Sequence, residues 1–527
     1  MGKGIKIGWA KRSIAPEKGA SPITGQFYLR VSQGVYTPVL THALVLENGD
    51  DAVIFLSADM VCISSQILME LKDTLSKENP EIPVEKIIAN ATHTHAGPSD
   101  MAGGKNPDGK PSYPLEIDFL SSFEVRAYIV RQMADAILEA WSKREAGSVA
   151  YGYGFAVTGH SRRTIYLDDI GLRQAGKPGL CVNGHGKMYG NTNDEMFDCY
   201  EAGTDAFINL LYTFDKDGKL TGAIVNVPCP SQTGEHAWML HASFWHKVRE
   251  KLYAKYGEIG VLSQAAAAGD LSPRQLHYRA AEHRRYRLKY ADKIAEYIKN
   301  PMVYPEGFFE GKEQKDIDAA ILNDAIEWMR AEDISNRIVA AFDEVLSWAA
   351  QEKFSEPELR HEVKTVQLAR RKFTSEIAAE EAQNYETVMK EEFVTEGNKI
   401  HNLISNSRLN AQRSRCKGVA DRYAIQEKEP FFTADIHAVR IGNVAFASNH
   451  FELFIDFMHR IQARSPFEQT FIVQLASSIY GHGGYLATAR ATANKGYSAS
   501  PYCNRVSAEG GQQLVNETLA MLEDLKK

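Results

Sequence analysis

A pair of histidines two residues apart is the strongest chemical signal in the sequence. His93 and His95 occur in KIIANATHTHAGPSD, directly after an apolar run over residues 87–91. Such a run predicts a buried strand, and the two-residue side-chain period of a strand places both imidazoles on one side at its carboxyl end. Two imidazoles can bind one zinc ion, or one can bind the metal while the other transfers protons. The H-x-H pattern also occurs by chance, so it requires support from the rest of the chain.

Cys229 is a second candidate metal ligand. It lies between two prolines in VNVPCPSQTGEH, after another apolar run, so its backbone is stiff. A thiolate in this position could bind zinc. A buried, inert thiol is an equally good interpretation, and His236, later in the same stretch, is the alternative ligand.

Two stretches near the carboxyl end contain further candidates. Glu452 lies in FASNHFELFIDFMHRI, where a buried carboxylate would need a partner or a metal. If that stretch is helical, the carboxylate could instead face water. Clustered glycines in YGHGGYLATARATANKGYSAS could present Tyr485 and Tyr497 at close turns, or both could be ordinary loop tyrosines.

Ser272, in AAAAGDLSPRQL, raises the question of a serine nucleophile. Serine is favoured as a helix N-cap, and proline at the first helical position. We therefore interpret Ser272 as the N-cap of a polar helix over residues 274–298.

The elements that must position these residues follow from short apolar runs between residue 5 and about residue 275. Gly/Asp/Asn turns and predicted helices over residues 66–78 and 115–143 separate these runs. The mixture predicts an α/β (mixed α+β) fold. The sequence DKDGKL predicts a hairpin turn.

A change in composition after about residue 277 suggests a second unit. Charged, alanine-rich sequence predicts a helical insertion or subdomain over residues 277–429, with breaks near NPMVYPEGFF and KFSEPEL. Strand patterns resume at HAVRIGNVAFAS. We therefore predict one interrupted core, residues 1–276 and 430–527, in which the last strands rejoin the first sheet.

Charge and composition exclude several classes of protein. A formal net charge of −7 provides no basic field for nucleic acid. The sequence shows no run of ~18 apolar residues, so we predict no transmembrane segment. It also shows no signal peptide, so we expect a cytoplasmic protein. The six cysteines are scattered without a C-x-x-C pair, so neither a zinc ribbon nor a disulfide framework is indicated. We expect a small-molecule substrate, and the oligomeric state has no signal in the sequence.

Several motifs together resemble those of the neutral (alkaline, non-lysosomal) ceramidase family. They are, in order, THTHAGP, HSRR, VPCPSQ, AAAAGDLSP, FELF and GGYLATARATANKGY. The resemblance covers residues 5–275 and about 440–525. It implies the fold of that family's N-terminal catalytic domain, here with a helical insertion and without the C-terminal immunoglobulin-like domain.

The resemblance also implies a zinc site and roles for its neighbours. The implied zinc ligands are His93, Glu452, Tyr485 and, where the family has a histidine, Cys229. His95 matches a histidine beside the metal, Arg162 an arginine near the substrate, Tyr497 a second tyrosine of the site, and Ser272 the serine of the Gly-Asp-x-Ser-Pro motif. A cysteine ligand would add negative charge and weaken the metal as a Lewis acid. Otherwise His236 replaces it, or the metal is lost or different.

The expected function is therefore a zinc-dependent hydrolase that cleaves a linear N-acyl amide through metal-activated water. Because activated water is itself a nucleophile, Ser272 is expected to support the geometry of the site. The lack of a lipid-facing helix favours a substrate smaller or more polar than ceramide and leaves lipid metabolism open. Two alternatives are a zinc hydrolase of a carbohydrate-like or other small non-lipid molecule and a non-catalytic binding protein with a degenerate metal site. An amidohydrolase barrel is a rival fold, although VPCPSQ matches its metal ligands poorly.

Overall fold

The computed structural model describes residues 4–49, 51–101 and 111–527, and it has the mixed α/β fold that the sequence predicts. The strands are β1 (Lys6–Ser13), β2 (Pro22–Ile23), β3 (Arg30–Val31), β4 (Leu40–Glu47), β5 (Ala52–Ala58), β6 (Ile87–Ala91), β7 (Glu145–Phe155), β8 (His160–Ser161), β9 (Arg163–Tyr166), β10 (Gly186–Met188), β11 (Phe197–Tyr200), β12 (Phe207–Asp215), β13 (Leu220–Val227), β14 (Gly260–Ala265), β15 (Leu271–Ser272), β16 (Leu359–Ala369), β17 (Phe431–Ile441), β18 (Val444–Ser448), β19 (Glu452–Leu453), β20 (Gln469–Val473) and β21 (Tyr485–Leu486). The helices are α1 (Ser65–Glu78), α2 (Ser122–Ser142), α3 (Ile170–Arg173), α4 (Phe244–Tyr256), α5 (Arg279–Lys289), α6 (Ala291–Lys299), α7 (Gln314–Ala349), α8 (Ser375–Lys390), α9 (Lys399–Ile425), α10 (Ile455–Gln462), α11 (Ala489–Asn494) and α12 (Ala508–Lys526), with short 3₁₀ helices at Val84–Lys86 and Tyr497–Ala499.

The first sheet has eight strands in the order β14-β13-β12-β7-β1-β4-β5-β6. The pairs β13–β14 and β5–β6 are parallel, and the other neighbours are antiparallel. The predicted hairpin at DKDGKL joins β12 to β13. The predicted strand over residues 87–91 is β6, at one edge of the sheet, and its carboxyl end leads into the histidine pair.

The prediction that the last strands rejoin the first sheet is wrong. They form a second sheet in the order β16-β17-β18-β20, which stacks on the first. Strands such as β5 are buried along their whole length, so both faces of the first sheet need an apolar partner. Phe55 packs with Phe446 and Phe471 between the two sheets, whereas Ile54 packs into the layer that contains α1, α2, α4 and α7. Helices α10 and α12 cover the outer face of the second sheet, which gives four layers.

The segment over residues 277–429 is not helical throughout. Within it, Leu359–Ala369 forms β16 and pairs with β17 along its full length. The alternation in HEVKTVQL is that of a strand with one exposed face, and its charged residues made it resemble the helical sequence around it. The division of the chain into a core and an insertion stays a prediction.

The helix predicted over residues 115–143 is shorter than expected. It begins only at Ser122, where Ser121 and Glu124 form a reciprocal capping box. The helix predicted over residues 66–78 matches α1 closely. In the described part of the chain, no helix is both long and apolar enough to cross a membrane.

Trp9 packs against two glycines of neighbouring strands in the first sheet. A Cβ atom at Gly260 would lie 2.3 Å from the indole ring, and one at Gly222 would lie 2.6 Å from it. The indole nitrogen donates to Thr213 Oγ1 at 2.9 Å. The two glycines therefore provide the space that this ring occupies.

Candidate functional site

The two histidines of the H-x-H pattern lie together, as predicted, but a turn and not the strand period brings them there. β6 ends at Ala91, and His93 has a left-handed backbone with φ 64°. Its Nε2 atom is 3.3 Å from Nε2 of His95, and its Nδ1 atom is 2.8 Å from the carbonyl oxygen of Val61. The contact with that carbonyl fixes the orientation of the His93 ring and leaves Nε2 facing the site.

A buried ion pair anchors the turn that carries His93. The Asp59 carboxylate contacts the Arg249 guanidinium through both oxygens, at 2.6 and 3.1 Å. The same carboxylate accepts a hydrogen bond from the Thr92 hydroxyl at 3.3 Å. Asp59 and Arg249 are both almost fully buried, so each depends on the other for compensation of its charge.

Glu452 and Tyr485 are neighbours on two short paired strands. They are in register in the parallel pair β19–β21, and α10 begins only at Ile455, so Glu452 is not on the helix considered from the sequence. Its Oε2 atom is 3.4 Å from Nε2 of His93, and it also hydrogen-bonds the Tyr485 hydroxyl. Burial alone would raise the pKa of Glu452, but His93, Arg162 and Tyr485 hold it at about 2. Glu452 is therefore an ionised carboxylate.

The AAAAGD stretch holds the Glu452 strand in place. Gly269 N donates to the Leu453 carbonyl at 2.8 Å, and Asp270 Oδ1 accepts from Ile455 N at 3.0 Å. A Cβ atom at Gly269 would lie 2.4 Å from the Glu452 carbonyl oxygen, so only glycine allows this approach. Burial raises the pKa of Asp270 to about 7.

Arg162 and Tyr497 complete the side of the site around Tyr485. Arg162, between β8 and β9, donates through Nη2 to the Gly269 carbonyl at 2.7 Å and to the Tyr485 hydroxyl at 3.1 Å. Tyr497 begins a 3₁₀ helix, and its ring centroid is 5.6 Å from that of Tyr485 in an edge-to-face contact. The structure therefore brings together His93, His95, Arg162, Glu452, Tyr485 and Tyr497.

Glu235 and Gln232 contact His95, and neither was among the residues predicted from the sequence. Glu235 Oε2 is 3.2 Å from Nδ1 of His95, and the amide nitrogen of Gln232 is 2.9 Å from its Nε2. Burial, opposed in part by Glu235, lowers the pKa of His95 to about 4. Arg274 pairs with Glu235 at 2.7 Å and helps to hold the pKa of that carboxyl well below its usual range, against the effect of burial. Gln232 and Glu235 lie in SQTGEH, which begins two residues after Cys229, but nothing in the sequence connects that stretch with His95.

Gly25 and Arg30 support His95 from its other sides. Gly25 has φ 108°, and a Cβ atom there would lie 2.5 Å from the His95 ring. Arg30 is fully buried and donates to the His95 carbonyl at 2.5 Å. The imidazole is therefore held by its backbone, by the hydrogen bond at Nε2, by the carboxylate beside Nδ1 and by the packing around it.

The prediction that Ser272 caps a helix is wrong. Ser272 lies in β15, and the next helix, α5, begins only at Arg279 after a left-handed Tyr278. The Ser272 hydroxyl instead accepts hydrogen bonds from Arg274 N at 3.1 Å and from the Tyr189 hydroxyl at 3.3 Å. Proline at position 273 is equally compatible with such a turn, so the Ser-Pro pair could not distinguish it from a helix start. Tyr189 also hydrogen-bonds Arg162, so it links the Ser272 hydroxyl to the Arg162 side chain.

Cys229 and His236 have no contact with His93 among their hydrogen bonds and ion pairs. The Cys229 thiol is fully buried in the main core and donates to the Thr158 carbonyl at 3.1 Å. Burial raises its pKa. The His236 side chain is 54% exposed, with Nε2 3.9 Å from Glu235 Oε1. Metal ligation by either residue stays a prediction.

The donors present fit zinc in part. Within residues 4–49, 51–101 and 111–527, no group of three or more His, Cys, Asp or Glu side chains is arranged to hold a metal ion. Two such side chains and one phenol do meet, as His93, Glu452 and Tyr485. Imidazole nitrogen and carboxylate oxygen are ordinary zinc donors, and a ligand histidine usually has its second nitrogen bonded to a carbonyl or carboxylate, as His93 has. Tyr485 would be the third donor.

Two cavities have walls formed by residues of the site or their direct partners. The first, about 330 Å³, is lined by Tyr189, His236 and Arg274 together with charged residues of α5 and α7. The second, about 280 Å³, is lined by Tyr497 and by apolar side chains that include Phe27 and Met188. One cavity is thus polar and charged, and the other is largely apolar.

The fold matches that of known neutral ceramidase structures. The neutral ceramidase from Pseudomonas aeruginosa aligns with a TM-score of 0.62 and 16% identity, over 99% of this chain and 75% of that chain. A structure described as ceramidase complexed with C2 aligns with a TM-score of 0.61 and 15% identity, over 99% of this chain and 76% of that chain. No protein-family model and no curated protein sequence matches the chain. The predicted neutral-ceramidase-like fold is therefore confirmed at the level of structure.

Proposed function

We propose that the protein is a zinc-dependent hydrolase that cleaves the linear amide bond of an N-acyl substrate. The observation that carries this proposal is the convergence of His93, Glu452 and Tyr485 with His95 and Arg162 at one buried site. The shared fold with two ceramidase structures supports the same class of chemistry.

The residues that would hold the metal are His93 through Nε2, the Glu452 carboxylate and the Tyr485 hydroxyl. Cys229 is the proposed fourth donor, and its thiol would first have to leave the Thr158 carbonyl. A bound zinc ion would supply a Lewis acid that lowers the pKa of water to about 7 and polarises the substrate carbonyl. The ionised state of Glu452 is the one that a metal donor needs.

His95 would move the proton. The Glu235 carboxylate at Nδ1 favours the tautomer with its proton on that nitrogen, which leaves a lone pair on Nε2. This lone pair accepts a hydrogen bond from Gln232 and lies beside His93. In the proposed reaction Nε2 takes a proton from the attacking water and delivers it to the leaving amine nitrogen. Glu235 acts as a positioning residue, because it fixes the tautomer and touches no substrate.

Arg162 and Tyr497 would orient the carbonyl and stabilise the oxyanion that forms on it. The Arg162 guanidinium is held by Gly269 and Tyr485, so it is in place before the substrate binds. Ser272 reaches the site through Tyr189, which suits a supporting residue better than a nucleophile.

The two cavities support a substrate with an apolar acyl group and a polar amine. The acyl chain would lie along Phe27 and Met188 beside Tyr497, and the amine would face the polar cavity beside Tyr189. The polar cavity also favours a second candidate, hydrolysis of a small carbohydrate-like molecule by the same residues.

Metal content is the first test. The untagged protein is purified, and bound metals are measured by mass spectrometry in the wild type and in Glu452→Ala, Cys229→Ala and His459→Ala. About one zinc per chain is expected, with loss in Glu452→Ala and retention in His459→Ala, a half-exposed histidine on α10 that pairs with Asp205. Loss in Cys229→Ala would identify the fourth donor. Absence of bound metal, or a metal content that Glu452→Ala does not change, would overturn the proposed ligand set.

Turnover of N-acyl amides is the second test. His95→Ala and Glu235→Gln are both expected to keep the metal, because neither side chain is a proposed donor. Turnover should fall roughly 10²- to 10⁴-fold in His95→Ala, the usual contribution of a general acid–base, and by a smaller factor in Glu235→Gln, which removes only the group that fixes the tautomer. Parallel loss of metal and activity in His95→Ala would show that His95 is a ligand and not the proton carrier.

A further inference from the structure

A large cavity adjoins the chain segment that carries Tyr497. It has a volume of about 860 Å³, and Lys495 and Ala499, two residues on either side of Tyr497, form part of its wall. Tyr497 itself points to the candidate site, where its ring packs against Tyr485. The same short segment therefore contributes to two separate places.

Most of the remaining wall is apolar. It is formed by the start of α8, the start of β17, α11 and the first turn of α12. Ile377 and Phe431 are the largest aliphatic and aromatic side chains in it, and Phe431 is 49% exposed. A cavity of this size is within the usual range for small-molecule sites, about 300–1,000 Å³.

Positive charge without a carboxylate partner lies in the same wall. Arg370 pairs with Glu429 at 3.1 Å, and Lys372 pairs with Glu427 at 3.0 Å. Arg371 instead donates to the Ala499 carbonyl at 2.7 Å and to the Asn504 side-chain oxygen at 2.6 Å.

Arg371 and Lys495 have no ion pair within the described residues, although the carboxylates of Glu380, Glu381 and Glu509 also line the cavity. The Glu381 carboxylate is occupied by the Tyr502 hydroxyl, which is 2.7 Å from each of its oxygens. Within the described residues, none of these three carboxylates forms an ion pair with Arg371 or Lys495.

More positive charge lies next to Arg371. Arg422 donates to the carbonyls of Asn504 at 2.8 Å and Pro501 at 2.5 Å, and among the residues that the structure describes it pairs with no carboxylate. Burial, together with the nearby charges of Arg505 and Arg371, lowers the pKa of Arg422 to about 10. Burial likewise lowers the pKa of Arg371 to about 10. Arg371 and Arg422 are thus two neighbouring cations whose hydrogen bonds go to neutral oxygens.

We propose that this cavity is a second ligand site, which binds an amphipathic anion. The anionic headgroup pairs with Arg371 and Lys495, and the apolar chain lies along Ile377 and Phe431. Because the Arg371 guanidinium also holds the carbonyl of Ala499, the ligand contacts the residue that fixes the Tyr497 segment. The proposal concerns binding alone and does not depend on the proposed hydrolase activity.

Titration calorimetry with decanoate, below its micellar concentration, tests the proposal on the full chain. One decanoate per chain is expected, with affinity at least tenfold weaker in Lys495→Met and in Arg371→Met. Lys495 is exposed, so its substitution should leave folding intact even if Arg371→Met does not fold. Lys143→Met, an exposed lysine after α2, is the matched control and should bind as the wild type does.

Other probes separate the two halves of the proposed site. Decanol, which lacks the charge, and inorganic phosphate, which lacks the chain, should each bind at least tenfold more weakly than decanoate. Glu452→Ala should keep decanoate binding, because the candidate active site is a different place. The proposal is overturned if decanoate does not bind, if Lys495→Met binds it as the wild type does, if either other probe binds equally well, or if Glu452→Ala abolishes binding.

Discussion

Replacement of Asp270 by asparagine should change how the stability of the protein depends on pH. Asp270 is 1% exposed, and burial raises its pKa from 3.8 to about 7. A raised pKa means that the folded state holds the proton more tightly than the unfolded state. The stabilisation is therefore fully present below pH 3.8 and is lost as the pH rises through about 7. Asparagine keeps an oxygen that can accept from Ile455 N but has no proton to lose.

The size of the effect follows from the pKa difference. One pKa unit corresponds to about 1.4 kcal/mol, so a shift of roughly three units corresponds to ~4 kcal/mol as an upper value. Between about pH 4 and pH 7, the wild type should lose up to ~1.4 kcal/mol per pH unit relative to Asp270→Asn. Above about pH 8 the difference between the two proteins should be constant.

Urea unfolding, followed by tryptophan fluorescence at pH 5, 6, 7 and 8, measures this difference. The unfolding midpoint of the wild type should fall relative to that of Asp270→Asn as the pH rises to about 7. Asp318→Asn, which removes an exposed carboxylate of α7, should follow the wild-type profile. Parallel profiles of the wild type and Asp270→Asn would show that Asp270 ionises normally in the folded protein, and the argument from burial would be refuted.

Two further substitutions test how the fold supports the site. Arg249→Met leaves the Asp59 carboxylate buried without its partner, so it should destabilise the protein by ~3–5 kcal/mol in urea unfolding. The double variant Arg249→Met with Asp59→Asn should recover part of this lost stability. A loss below 1 kcal/mol would mean that water reaches the carboxylate. Gly260→Ala places a methyl group 2.3 Å from the Trp9 ring and should cost about 1–3 kcal/mol by thermal unfolding. Gly203→Ala, where a Cβ atom meets nothing within 4 Å, should be close to neutral, and equal effects of the two alanines would contradict the packing argument.

Much of the fold was predictable from local patterns. Apolar runs such as residues 87–91 predicted strands, and DKDGKL predicted its hairpin, because these signals depend on neighbouring residues alone. The placement of the last strands in a second sheet was not predictable, because a strand buried on both faces carries no information about which sheet covers it. The strand β16 was missed because its exposed face carries charges like those of the surrounding helices.

The site was predictable in part for the same reason. His93 and His95 were identified by their spacing, Glu452 by its apolar surroundings and Tyr485 by the clustered glycines, and the resemblance to the ceramidase motifs supplied their expected roles. Glu235 could not be identified, because its contact with His95 joins two stretches far apart in the sequence. The helix expected after Ser272 was wrong because the Ser-Pro pair suits a turn as well as a helix start.

The pairing of Glu452 with Tyr485, opposite His93, has a consequence for how the protein becomes functional. His93 follows a strand of the first sheet, whereas the other two side chains come from a ladder near the end of the chain. During synthesis, a ribosome must therefore release the chain through residue 485 before these three groups can meet. Contacts between such distant stretches form late, because long loops must close first. Any metal that enters this site would thus select chains in which these two distant stretches have already assembled, and would bind partly folded intermediates much more weakly.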